Sequence, residues 1–324
     1  MRASKPSTWR WPTPARDLMQ IQYDDDFVEG AVFVCVNNRE HSPSPLQVRR
    51  FHREREKCYG ILDPDQRNTA FFNLHLEWFR EWNLERAVLA PLDEFQLLRP
   101  TLNTLVFCKA LVKNDEGAEL YVNPENGRAG VVALRAERFN QLDHLARFLR
   151  HEFTHLHDMV NPVFNYAPQF HLAGRNPSQQ RLIRERYRLL WDITIDGRLT
   201  TSSQSPLGTR EQHRSAFDRA FGFWSDAKRD DVFLALWENP QPHHDALLAI
   251  ASDPRNIQSS NKPSPGAPCP LCGFATFAWA ETSAFSDATA AAIKAEFPHW
   301  TPADGACQRC VAIYRLRSTP LSIA

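Results

Sequence analysis

Apolar side chains recur at three- and four-residue steps over two early stretches, predicting helices at about 44–59 and 66–82, the second carrying Phe71, Leu74, Trp78, Phe79 and Trp82. Before them, the unbroken apolar run GAVFVCV (30–36) reads as a buried strand. From 103 to 136 the pattern changes to alternation: TLVFCKALV, AELYV and GVVALRAE are separated by the turn-formers KNDEG and NPENG, which predicts a three-stranded antiparallel meander. A helical stripe of Leu142, Leu145, Leu149, Phe153, Leu156 and Val160 follows, giving a helix over about 141–160. A Pro- and Gly-bearing loop (161–177) then leads through an Asn-Pro-Ser start into a second helix near 178–200. Shorter helices fill 209–252, with Phe217, Phe221, Trp224, Phe233, Leu236 and Trp237 as core candidates.

These elements describe an α+β chain in four parts. Residues 1–26 form a weakly structured N-terminal arm, rich in Pro, Ser and charge and closed by Asp24-Asp25-Asp26; 27–252 form the main domain; 253–268 read as a linker; 269–324 form a small cysteine-bearing module. Composition changes this picture little. The 38 basic and 38 acidic residues cancel, so no global field draws the chain to nucleic acid or an anionic membrane. The N-terminus lacks the apolar run of a secretory signal and no later stretch suits a membrane span, so the expected location is cytoplasmic, without membrane contact.

The chemistry-bearing stretch is RHEFTHLHDM (150–159), which sets His151, Glu152 and His155 as His-Glu-x-x-His on the 141–160 helix. Residues four apart on a helix share a face, so the two imidazoles can meet one ion while Glu152 stands beside it. Metal-assisted hydrolysis needs this set: zinc acidifies a water and polarises a carbonyl, and a neighbouring carboxylate, here Glu152, acts as general base. Catalytic zinc usually takes a third protein ligand. Asp192 and Asp196, four apart in WDITIDGRL, can supply it, one ligating while the other accepts the outer N–H of a liganding histidine. Arg188 and Arg198 are the arginines with which these carboxylates could pair instead, and His171 on the loop is the rival third ligand. Asp158 and His157 lie nearby, and Tyr187, Arg198 and His157 are candidates to steady an oxyanion.

CPLCGF and CQRC place Cys269, Cys272, Cys307 and Cys310 in two knuckles, the spacing of a closed structural zinc site, with one helix expected near 286–296 between them. So small a module has little core, and bound metal would supply much of its folding free energy. With Lys294, Arg309, Arg315 and Arg317 as its basic residues, protein docking or a structural role is favoured over nucleic acid.

HEFTH on its helix resembles the zincin metallopeptidases. The Asp192-x-x-x-Asp196 spacing is similar to the gluzincin arrangement, with Asp where that group has Glu, and implies Asp192 as ligand and Asp196 as orienting group. GVVALRAERFNQLDHLARFLRHEFTHLHD, with a C-terminal zinc module, resembles the SprT-like layout, whose third ligand is a His in a His-Gly context; here His171 is followed by Leu172. The resemblance implies a zincin-like catalytic domain holding one zinc ion beside the structural one, and a peptide or protein substrate lying along the sheet edge, GVVALRAE (130–137). The expected activity is thus zinc-dependent peptide-bond hydrolysis. A zincin-fold scaffold without turnover, or an SprT-like protease acting on DNA-associated proteins, are the alternatives, and Glu152→Gln separates the first of these from an enzyme.

Overall fold

The computed structural model describes residues 19–38, 43–123, 127–167, 176–252, 266–281, 284–298 and 300–318. In chain order, β1 (Gln20–Tyr23) leads to α1 (Asp25–Asn37), α2 (Pro45–Tyr59), α3 (Pro64–Glu81), α4 (Leu84–Leu89) and α5 (Leu98–Thr101). Then come β2 (Thr104–Lys109), β3 (Gly117–Asn123), β4 (Gly127–Leu134), α6 (Leu142–Val160), α7 (Pro177–Thr201), α8 (Arg210–Ala220), α9 (Asp226–Trp237) and α10 (His244–Ser252). The last elements are β5 (Ala267–Pro268), β6 (Ala275–Thr276), α11 (Asp287–Glu296) and α12 (Gln308–Ser318). The chain is α+β, and among the described residues no helix is long and apolar enough to cross a membrane.

Three expectations need correction. Residues 30–36 belong to helix α1, not to a strand. Asp25 and Asp26 in its first turn oppose the positive end of the helix dipole, and Phe27, Val28, Ala31 and Val32 fall on one buried face. Gly30 permits close packing, because a Cβ there would stand 3.0 Å from that of Ala136. The N-terminal arm is likewise shorter than 1–26: its first 18 residues lie outside those described, but Gln20–Tyr23 is a strand of the main sheet and α1 begins at Asp25.

The meander is replaced by a mixed sheet in the order β1-β2-β4-β3. β2 runs parallel to both β1 (Gln20↔Thr104) and β4 (Thr104↔Ala129), whereas β3 and β4 of this sheet form an antiparallel pair (Gly117↔Ala133). Burial explains the order. β2 and β4 are buried on consecutive residues, as interior strands are, whereas β3 is half-buried along most of its length. The outer strand beside α6 is therefore β3, not 130–137.

One face of the sheet carries the main core. Phe27 packs with Tyr23, Phe79, Phe107 and Phe139 at ring separations of 5.4–6.3 Å across this cluster. Leu145, Phe148, Leu149, Phe153 and Leu156 of α6 join it, each contributing roughly 1.5–3 kcal/mol by burial. Leu142, at the start of the expected stripe, is exposed. Val106, Cys108, Ala110, Val131 and Ala133 cluster separately on the sheet residues between, with Tyr121 against them.

By packing, the chain falls into two compact units, Met1–Phe217 with Leu236–Leu248, and Asp218–Ala235 with Ala249–Ala324. The expected linker 253–268 lies outside the described residues except at its last three positions. In the second unit, α11 and α12 bury Ile293, Trp300 and Tyr314, and Trp300 Nε1 donates to the carbonyl of Gly305 at 2.9 Å.

Candidate metal centre

Two helices build the main cluster. α6 buries its apolar face in the core, which turns His151 and His155 toward α7; both, and Glu152 beside them, are buried. α7 starts with a capping box, in which Asn176 and Gln179 exchange side-chain and backbone bonds behind Pro177. Four turns later it presents Asp192 and Asp196. Next to Asp196, Gly197 lets α7 meet the chain at Trp237, whose carbonyl oxygen would stand 2.0 Å from an added Cβ. Only glycine fits that approach.

The Nε2 atoms of His151 and His155 face one carboxylate oxygen, Asp192 Oδ1, at 3.4 and 3.0 Å. Nitrogen and oxygen atoms of these three residues lie within 4.8 Å of one another, a group that could hold a metal ion. Two imidazoles and a carboxylate are donors suited to zinc. Asp196 has a different place. Its Oδ1 accepts from His151 Nδ1 at 2.9 Å and the Leu207 N–H at 3.1 Å; its Oδ2 accepts from the Gly208 N–H at 2.7 Å and His213 Nε2 at 2.6 Å. The Asp192 side chain keeps 24% of its surface and that of Asp196 1%. Asp192 thus faces the cluster's open side and Asp196 sits behind His151, fixing which ring nitrogen carries the proton.

Burial alone would raise both carboxyl pKa values, but hydrogen bonds from the histidines outweigh it and hold Asp192 and Asp196 well below the ordinary range. Burial disfavours charge on His151, and the two carboxylates overcome that too, raising its pKa to about 10.

His155 is held from its other side by the Trp191 ring, edge-on at 4.4 Å. Trp191 Nε1 donates to Asp158 at 2.8 Å, and Arg198 grips the same carboxylate through both terminal nitrogens at 2.9 and 2.6 Å. Arg198 therefore pairs with Asp158 rather than with Asp192 or Asp196. His157 lies against Asp158 at 3.7 Å, and Tyr187 bonds His244 Nδ1 at 2.7 Å. These contacts engage the three residues weighed for an oxyanion. His171 lies outside the described residues.

Glu152 points at the start of β3. A Cβ on Gly117 would stand 3.7 Å from Glu152 Oε2 and 3.4 Å from Arg188 Nη2, and Gly117 has a φ of 151°, which side chains disfavour. This corner is pinned by Glu116, whose carbonyl accepts from Arg188 at 3.3 Å and whose carboxylate takes Arg138 Nη2 at 2.9 Å and the Arg135 N–H at 3.0 Å. His213, the Leu207–Gly208 backbone, Trp191 and Gly117 were not singled out by the sequence. His213 lies 17 residues from Asp196, a separation with no helical meaning, and only the fold brings it in.

The second cluster is formed by Cys269, Cys272, Cys307 and Cys310. Sulfur pairs Cys269–Cys310 and Cys272–Cys307 are 4.0 and 3.9 Å apart. Four sulfurs at ~2.3 Å from a tetrahedral zinc stand roughly 3.8 Å from each other, so the spacing suits that ion. Backbone N–H groups support the knuckles, Cys307 donating to Cys269 Sγ at 3.3 Å and Cys310 to Cys307 Sγ at 3.4 Å. Burial would raise the Cys269 thiol, but such donors outweigh it and lower its pKa to about 7, favouring the thiolate a metal needs. The arrangement is consistent with a zinc-ribbon-like module.

Comparison with protein-family models, curated proteins and solved structures finds no match to this chain.

Proposed function

We propose that the chain is a zinc-dependent peptide hydrolase, with His151, His155 and Asp192 as ligands and Glu152 as general base. The observation that carries this reading is the convergence of His151, His155 and Asp192 on one point, with Asp196 behind His151 and Glu152 on the same helix. Zinc held there supplies Lewis acidity and a water acidified toward neutral pH. Glu152 takes the proton of the attacking water as its oxygen adds to the scissile carbonyl, and returns that proton to the amine as the C–N bond breaks. Asp196 keeps His151 oriented through this cycle.

An extended peptide is the substrate class the sheet favours. β3 stands last in the sheet order, and its first residue adjoins Glu152 and Arg188, so a peptide running beside this strand would lead past the base. The four-cysteine module is read as a structural or docking element with its own zinc.

Metal content per chain, measured for wild type, His155→Ala and Cys269→Ser, tests the ligands; cleavage of a random peptide pool by wild type and Glu152→Gln tests the chemistry. Two zinc ions in wild type, one in each ligand variant, and cleavage lost in Glu152→Gln with zinc retained are expected. A wild type that keeps zinc at both sites but cleaves nothing, or a Glu152→Gln variant that cleaves as well, would replace the enzyme with a scaffold reading.

A further inference from the structure

The four-residue ladder that sets Asp192 and Asp196 on α7 continues toward the helix start as Arg188 and Arg184. Exposure rises along it. The Asp196 side chain keeps 1% of its surface and that of Asp192 24%, while Arg188 and Arg184 are exposed. The open side of the metal cluster therefore runs out onto two guanidinium groups, about 6 and 12 Å along the helix axis from Asp192.

Arg188 is held close to the base. Its Nη2 donates to the carbonyl of Glu116 at 3.3 Å, and this nitrogen and Glu152 Oε2 lie 3.4 and 3.7 Å from the point where a Gly117 side chain would begin. Arg184, one turn earlier, makes no ion pair or side-chain hydrogen bond among the described residues. The carboxylates around the two arginines are engaged elsewhere: Glu116 by Arg138 and Arg135, Glu185 by Arg181 at 2.7 Å, and Glu119, two residues along β3 from Gly117, by the Tyr121 hydroxyl at 2.7 Å. Exposed arginines are common on helices. These two are set apart by standing in line with Asp192, one of them beside Glu152, and a guanidinium offers the paired donors that a carboxylate accepts.

We propose that Arg188 and Arg184 select a substrate with a carboxylate close to the scissile bond. This rests on the hydrolase reading above and names its substrate class. An extended peptide advances about 3.3 Å per residue, so the two guanidinium groups correspond to positions about two and four residues from the bond under attack. The carboxylate can belong to an Asp or Glu side chain or to the C-terminus of the peptide.

Cleavage of short random peptide pools by the zinc-loaded full chain tests this: one pool with both ends blocked and Asp and Glu allowed, one identical but with Asn and Gln in their place, and one of the neutral kind with a free C-terminal carboxylate. The acidic pool should be cut about three- to tenfold faster than the neutral one, the range for one or two partly exposed charge pairs, with cut sites about two to four residues from the acid. Added salt should shrink that ratio. Preference for the third pool, cut near its end, would support the proposal with the chain terminus as the source. Arg188→Gln should flatten the ratio; because it also releases the Glu116 carbonyl, Arg184→Glu provides a second arm and should turn the preference at the more distant position from Asp and Glu to Lys and Arg. Equal cleavage of all pools by wild type, or a ratio that survives both variants, would overturn the proposal and leave the hydrolase reading standing. Should no pool be cut, anisotropy of a labelled, end-blocked Asp- and Glu-rich peptide on zinc-loaded Glu152→Gln decides: binding that Arg184→Glu weakens would keep the arginines as a carboxylate site without the hydrolase, and no binding would overturn both.

Discussion

Asp196→Asn is the sharpest perturbation of the metal centre, because it keeps volume and removes charge from a fully buried group. Each carboxylate oxygen accepts two bonds: His151 and Leu207 on Oδ1, Gly208 and His213 on Oδ2. An asparagine has one oxygen, so whichever way the amide turns, its NH2 faces two donors. Leaving a buried donor without an acceptor costs about 1–3 kcal/mol, and allowing one imidazole to shift its proton and relieve part of this, the loss should be about 2–4 kcal/mol. For a unit of this size that lowers the melting temperature by roughly 4–16 °C. The assay is thermal unfolding in chelator, which separates this cost from lost metal. Asp192→Asn is the comparison: its side chain is partly exposed, so water can replace part of what it loses, and its cost should be smaller than that of Asp196→Asn. In zinc titration, Asp196→Asn should weaken binding by roughly 10–100-fold through misoriented His151. If chelated Asp196→Asn melts with wild type, or if Asp192→Asn is the more damaging of the two, Asp196 does not hold the site together as argued.

Glu116→Gln should cost about 3 kcal/mol, since it leaves the largely buried Arg138 without its anion. The same residue sets an acid limit. Burial would raise its pKa, Arg138 and Arg135 outweigh that and lower it, so its stabilisation is complete above the ordinary carboxylate pKa of about 4.3 and fades as pH falls through the lowered value; acid titration of wild type should be steeper there than that of Glu116→Gln. Gly197→Ala should yield little folded protein, as the new methyl would overlap the Trp237 carbonyl, and recovery of soluble, cooperatively melting protein would contradict that contact. Cys269→Ser should lower zinc content by one ion and open the segment from Gly266 onward to limited proteolysis, while the melting of the first unit is unchanged.

The helices that carry the candidate site were legible because their patterns are long and strongly periodic. α6 and α7 begin and end within two residues of expectation, and four-residue spacing alone put both histidines on one face and both aspartates on another. Short apolar runs were not so readable. GAVFVCV suits a buried strand as well as a buried helix, and what decides for the helix is the fit of Phe27, Val28, Ala31 and Val32 against Phe79, Phe107 and Phe139. Turn signals at 113–117 and 123–127 suggested neighbours in sequence pairing in order. Instead β2 and β4 pair in parallel, a choice made by burial on both faces that no local signal carries. The same holds for His213 and the Leu207–Gly208 amides, which reach Asp196 only once the chain has turned back after α7.

The parallel pairing of β1 with β2 and of β2 with β4 bears on how the chain is made. β1 ends at Tyr23 and pairs with β2 at 104–107, and β2 in turn needs β4 at 129–134. During synthesis α1, α2 and α3 leave the ribosome well before either partner strand exists, and can pack among themselves through Phe33, Phe51, His75 and Trp78. Residues 20–23 must wait, unpaired, until at least residue 107 has emerged. The helical cluster is thus a natural early intermediate, and closing of the sheet around it, followed by docking of α6 and α7, is the late step that assembles the two halves of the metal centre.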